Sequence, residues 1–66
     1  MKFSERLNQL LKDANISQEK LAKSIGYTQR AVSKWINKQT EPTAMAIFLC
    51  AKYFNVSSDF LLGLED

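Results

Sequence analysis

Ile25 and Gln29 are separated by only Gly26-Tyr27-Thr28, and that link constrains the chain more than any other feature. Glycine reaches positive φ without steric cost and commonly ends helices. Threonine accepts hydrogen bonds from first-turn amides and commonly begins them. A helix stop and a helix start two residues apart force two helices to cross at a large angle. The flanking patterns agree. Ser17 is a good N-cap for a helix from Gln18 to Ile25, whose apolar side is Leu21, Ala22 and Ile25. Glu19 in its first turn complements the helix dipole. A helix from Gln29 to about Ile36 or Asn37 follows Thr28. Small Ala22 and Gly26 are expected to let the two helices approach closely.

Three more helices can be read in the same way. Phe3, Leu7, Leu10, Leu11 and Ala14 share one helical face, which predicts a helix from Phe3 to Ala14. Asn15 suits the left-handed position that ends it, with Ile16 packing back onto the last turn. Asn37 to Pro42 reads as a polar loop, and Pro42 disfavours helix at Glu41. A fourth helix, from Thr43 or Ala44 to Phe54, is apolar nearly all round and is expected to be the central buried element. Asn55 ends it. Ser57 caps a short fifth helix from Ser58 to Leu62, closed by Gly63, with Phe60, Leu61 and Leu64 covering the bottom of the core. No run of alternating β-branched residues competes. The expected fold is all-α, one domain of five short helices over residues 1–66.

A chain of 66 residues has little core to spare, since a domain this small buries only ~60% of its unfolded surface. Cys50 is the only cysteine, so no disulfide can form within the chain, and there is no histidine to complete a zinc site. Helix packing must supply the stability, and 45% apolar content makes that feasible. Cys50 reads as a small core hydrophobe, and an unpaired thiol suits a reducing compartment. Met1-Lys2-Phe3-Ser4-Glu5-Arg6 carries an acid early and leads into no apolar signal region. The longest apolar run, Ala44 to Ala51, falls far short of the ~20 residues of a membrane span. A cytoplasmic location is expected. The chain has no glycine-rich phosphate loop and no paired carboxylates, and Cys50 has no base partner. Neither an enzyme, a metal nor a cofactor is expected.

The charge is unevenly placed. Residues 1–19 balance to zero, and residues 41–66 carry −3. Lys20, Lys23, Arg30, Lys34 and Lys38 give residues 20–40 a balance of +5 with no acid. Such a field fits a polyanion, or else a solvated lysine-rich face. The third helix favours the polyanion. At 100° per residue from Gln29, the residues Gln29, Ser33, Asn37, Arg30 and Lys34 lie at about 0°, 40°, 80°, 100° and 140°. Ala31, Trp35, Val32 and Ile36 lie at about 200°, 240°, 300° and 340°. One arc must face the core. The other carries donors that match base edges: Gln to adenine, Arg and Lys to guanine O6 and N7, Ser to either. An acid there would repel phosphates. Trp35 falls on the apolar arc, which points to packing rather than to stacking on bases. Tyr27 could touch a phosphate or cover the helix junction.

The segment Leu21 to Trp35 resembles the helix-turn-helix of the phage repressor and Cro-like family. Gln18, Ala22, Gly26, Val32 and Trp35 match its pattern. The likeness continues through Pro42 into Ile47, Cys50-Ala51, Phe54, Val56 and Asp59 to Leu62, nearly the whole chain. The resemblance implies base contacts from Gln29, Arg30, Ser33 and Lys34. It implies phosphate contacts from Gln18 at a helix N-terminus, from Thr28, and from Asn37, Lys38 and Gln39. Many relatives carry an acid where Ile36 stands and glycine where Lys38 stands, so Asn37 is expected to supply the left-handed geometry there. The function implied is transcriptional regulation, expected to be repression, by a homodimer on a palindromic operator, with recognition helices ~34 Å apart. Met45, Phe48, Phe60 and Leu64 are the candidate dimer surface. An antitoxin or protein-interaction adaptor on the same fold is the alternative.

Overall fold

The computed structural model describes residues 2–66. Five helices follow in order: α1 (Phe3–Ala14), α2 (Gln18–Ile25), α3 (Gln29–Ile36), α4 (Ala44–Phe54) and α5 (Ser58–Leu62). No strand occurs among the described residues. The boundaries agree with those read from the sequence because they are set by short-range chemistry. Ser17, Thr28, Thr43 and Ser57 each sit in extended backbone and accept through the hydroxyl from the amide three residues on. Each such cap is worth ~1 kcal/mol. Residues with positive φ close the helices: Asn15, Gly26, Lys38, Asn55 and Gly63.

Of the two reasons expected for Gly26, positive φ holds and close helix approach does not. A Cβ built there meets nothing within 4 Å, so the position is open rather than crowded. Its φ of +80° explains the glycine. Ala22, 1% exposed, is the residue that lets α2 pack closely.

The core is assembled from every helix. Phe3, Leu7 and Leu11 come from α1, Leu21, Ala22 and Ile25 from α2, and Val32 and Trp35 from α3. Ala46, Cys50 and Ala51 come from α4 and Leu61 from α5. Truncating a side chain as enclosed as Leu7 or Leu21 costs ~2–5 kcal/mol, much of the stability of a domain this size. The expectation for α4 needs correcting. It buries only small residues, while Met45 and Phe48 are 60% and 53% exposed. Apolarity all round does not mean enclosure when five short helices cannot surround one of their number. Leu64 also fails to cover the core and is 72% exposed, whereas Leu61 is sealed inside. Ala14, at the last turn of α1, is exposed as well.

Arg6 fastens the C-terminal segment to α1. Its guanidinium donates to the carbonyls of Phe60 and Glu65, at 3.0 and 2.6 Å, and lies 4.4 Å from the centre of the Phe60 ring. No buried polar side chain among the described residues lacks a partner.

Candidate nucleic-acid interface

The two arcs of α3 separate in space as they do on paper. Val32 and Trp35 are buried, and Ala31 and Ile36 are half-buried against them. Gln29 and Arg30 are exposed, and Ser33 and Lys34 are partly exposed on the outer arc. The inner arc fixes the helix. Trp35 packs edge-on against Phe3 and Tyr27, with ring centres 6.2 and 5.1 Å away. At 5% exposure, the Trp35 ring is core and has no face free for a base. Of its two expected roles, Tyr27 fills that of covering the junction. Its ring leans on Trp35, and its hydroxyl lies 3.2 Å from Thr43 Oγ1, the cap of α4.

At the start of α3, Thr28 Oγ1 accepts from the Ala31 amide at 3.1 Å, and no acid stands in the first turn. The earliest amides of any helix have no partner within it and carry its positive dipole end. α2 has the same kind of cap, Ser17 accepting from the Lys20 amide at 3.0 Å, with Gln18, half-buried, as its first residue, but carries Glu19 in its first turn.

The far end of α3 differs from the sequence reading. Asn37 has φ −83° and ψ 5°, so it does not supply the left-handed turn. Lys38 does, with φ 62°. The Lys38 amide bonds the Trp35 carbonyl at 3.2 Å and the Gln39 amide bonds the Lys34 carbonyl at 2.9 Å. This paired pattern places the left-handed residue one beyond the cap, the position that helices most often give to glycine. Asparagine tolerates positive φ better than lysine, but the hydrogen-bond register, not residue preference, selects the position. Asn37 Nδ2 instead donates a long bond of 3.4 Å to Ser33 Oγ.

Two α1 residues reach this end, and sequence reading missed both. Ser4 Oγ donates to the Trp35 carbonyl at 2.6 Å, supplementing the helix terminus. Glu5 Oε2 lies 3.3 Å from Lys38 Nζ. A backbone hydrogen bond at Glu5 first, and the Lys38 ammonium second, hold the Glu5 carboxyl below the usual carboxylate range. Both contacts join residues more than thirty apart, which periodicity cannot reveal.

The other cations of residues 20–40 sort into two groups. Lys23 forms an exposed pair with Glu19 at 3.5 Å. Lys20, Arg30 and Lys34 have no carboxylate partner among the described residues, so the outer arc of α3 presents uncompensated positive charge. The side chains of Gln29, Arg30, Lys34 and Gln39 make no hydrogen bond within the domain among the described residues. No cluster of potential metal ligands occurs among them, and no helix is long and apolar enough to cross a membrane. Cys50 is fully buried, and desolvation pushes its thiol up to about 11.

A family model described as helix-turn-helix matches residues 7–61, most of the chain. The chain belongs to the helix-turn-helix family. Its five-helix form superimposes on this family's phage-repressor members. The crystal structure of the P22 c2 repressor protein in complex with synthetic operator 9T matches with a TM-score of 0.85 and 30% identity, covering 92% of each chain. The NMR structure of the P22 c2 repressor DNA-binding domain matches at 0.86 and 31%, covering 94% of this chain and 82% of the other. Among curated proteins, the HTH-type transcriptional activator BcrR of Enterococcus faecalis is 35% identical over 66 residues, all of this chain and 32% of the relative. The uncharacterized HTH-type transcriptional regulator YobD of Bacillus subtilis (strain 168) is 30% identical over 64 residues, 97% of this chain and 57% of the relative. The chain thus spans about a third of one curated relative and little more than half of the other. In this helix-turn-helix, α2 and α3 are the two paired helices and α3 carries the outward polar face.

Proposed function

We propose that this domain is a sequence-specific double-stranded DNA-binding module of a transcriptional regulator, reading the major groove with α3. The observation that carries the reading is the outer arc of α3: Gln29, Arg30, Ser33 and Lys34 beside one another, accessible and without an acid in the helix. These four are the proposed base contacts, since amide, guanidinium, hydroxyl and ammonium donors suit base edges. Gln18 and Thr28 at two helix N-termini, and Asn37, Lys38 and Gln39 at the end of α3, are the proposed phosphate contacts. The likeness to a repressor bound to its operator supports duplex DNA as the partner.

One small domain makes few base contacts, so a homodimer on a palindromic site belongs to the proposal. Met45, Phe48 and Leu64 are large, apolar and exposed, and are the residues assigned to contact the second copy. Phe60, half-buried beneath Arg6, is the least available of the four sequence candidates. Repression is the proposed sense of regulation, acting on DNA in a bacterial cytoplasm.

The test is the salt dependence of duplex binding. Each neutralised phosphate contributes a slope of ~0.9 log units of affinity per log unit of salt. A steep slope with preference for selected over random duplex supports the reading. Equal affinity for every duplex at modest salt refutes sequence-specific recognition.

A further inference from the structure

The acid-free stretch from Lys20 to Thr40 explains the positive field only as far as this stretch is considered alone. The fold brings an acid back to it. α1 clasps the end of α3 at two adjacent residues, Ser4 on the Trp35 carbonyl and Glu5 on the Lys38 ammonium. The Lys38 backbone is fixed by the two hydrogen bonds that close α3, so its side chain leaves from a defined point. Beside it lies an open hollow of about 220 Å³ lined by Ser4, Lys38, Thr40, Glu41 and Pro42. Lysine binds a phosphate as a point charge, and a carboxylate at 3.3 Å engages that same charge.

We propose that Glu5 is a positioning residue that occupies the Lys38 ammonium in the free domain and must yield it to a DNA phosphate, so that Glu5 holds down affinity for DNA of every sequence. The inference rests on the reading of Lys38 as a phosphate contact. Both side chains are well exposed, at 64% and 61%, so the pair is weak and exchangeable rather than a structural lock. It therefore acts as a modest, sequence-independent brake. Glu5 reaches no residue of the base-reading arc among its hydrogen bonds and ion pairs, so base preference is left untouched.

The experiment is a double-mutant cycle of Glu5→Gln and Lys38→Ala, with binding to a selected duplex and to a random-sequence duplex measured over a range of salt. Glu5→Gln is expected to tighten binding about two- to fivefold on both duplexes, the range that an exposed pair allows. It should also steepen the salt slope, since Lys38 then neutralises a phosphate without the carboxylate it pairs with in the free domain. In the Lys38→Ala background the same change should have at most a small residual effect. Equal tightening in both backgrounds would mean that Glu5 acts by general charge and overturns the proposal. Unchanged or weakened binding of Glu5→Gln overturns it too. A uniform loss of affinity and a lower salt slope in Lys38→Ala alone test the underlying reading separately. If these are present and the cycle shows no coupling, only the role of Glu5 fails; if they are absent, both fail. Carboxylate NMR titration checks the pair without DNA: the Glu5 carboxyl should rise toward the usual range in Lys38→Ala, and no change would count against the pair.

Discussion

Replacing Lys38 by glycine separates the backbone of this position from its charge. Lys38 sits at φ 62°, in the left-handed region, without being a glycine. For a residue with a Cβ that conformation costs roughly 1–2 kcal/mol. Glycine escapes the cost but loses roughly 0.5–1 kcal/mol more chain entropy on folding. The difference leaves Lys38→Gly more stable than Lys38→Ala by about 0.5–1 kcal/mol, with alanine as the reference because both variants lack the ammonium. For a domain of this length that is a difference of about 2–8 °C in thermal midpoint, measurable by circular dichroism. Both variants lose the proposed phosphate contact, so both should bind all duplexes more weakly, with a salt slope lower by about one. Stability and affinity thus diverge in the glycine variant. A glycine variant no more stable than the alanine variant would refute the left-handed assignment. A variant with unchanged salt slope would refute the phosphate role.

Other expectations concern different parts of the domain. Arg30→Ala or Gln29→Ala should each cost ~1–3 kcal/mol of affinity for a selected duplex and relax preference at one base position, leaving stability nearly unchanged; a uniform loss across all sequences would move these residues to the phosphate class. Gly26→Ala should lower stability by about 1 kcal/mol through its φ of +80° alone, since the site is sterically open, and chemical denaturation with an unchanged m-value would show it. Cys50, buried and with its thiol raised to about 11, should resist a thiol reagent in the native domain and react fully in denaturant. The same shift has a sign for stability. The protonated thiol is favoured by folding, so this contribution is complete below the ordinary value of 9.0 and is lost as pH rises from there toward 11. A denaturation midpoint that rose over this range would contradict it.

Much of this domain could be read from the sequence because its helix limits are local. Ser17, Thr28, Thr43 and Ser57 act on amides three residues away, and Asn15, Gly26, Asn55 and Gly63 act on the turn they close. The two arcs of α3 were likewise legible, because 3.6-residue periodicity fixes which side chains share a face. What escaped was long-range or a matter of register. The left-handed role passed from Asn37 to Lys38 because the closing hydrogen bonds of α3 run to Trp35 and Lys34. The composition of α4 suggests a buried centre, but composition cannot say how many neighbours surround a helix, and Met45 and Phe48 remain outside. Ser4 and Glu5 looked like ordinary first-turn residues of α1 until the fold set them against the end of α3.

The charge pattern carries the same lesson. Counting along the chain isolates a positive block between Lys20 and Thr40, yet two of its five cations meet acids: Lys23 meets Glu19 and Lys38 meets Glu5. The cations of this block left without a carboxylate partner among the described residues are Lys20, Arg30 and Lys34. That concentration on α2 and the outer arc of α3 fits a helix entering a groove better than a diffuse basic surface does.

The central claim is that the outer arc of α3 reads bases. Selection of bound duplexes from a random pool, run in parallel with the unaltered domain and with Arg30→Ala, tests it most directly. The account predicts an enriched motif with two-fold symmetric half-sites for the unaltered domain, and for Arg30→Ala the same motif with preference lost at one position in each half-site. Enrichment of an identical motif by both, or of none by the unaltered domain, would contradict it.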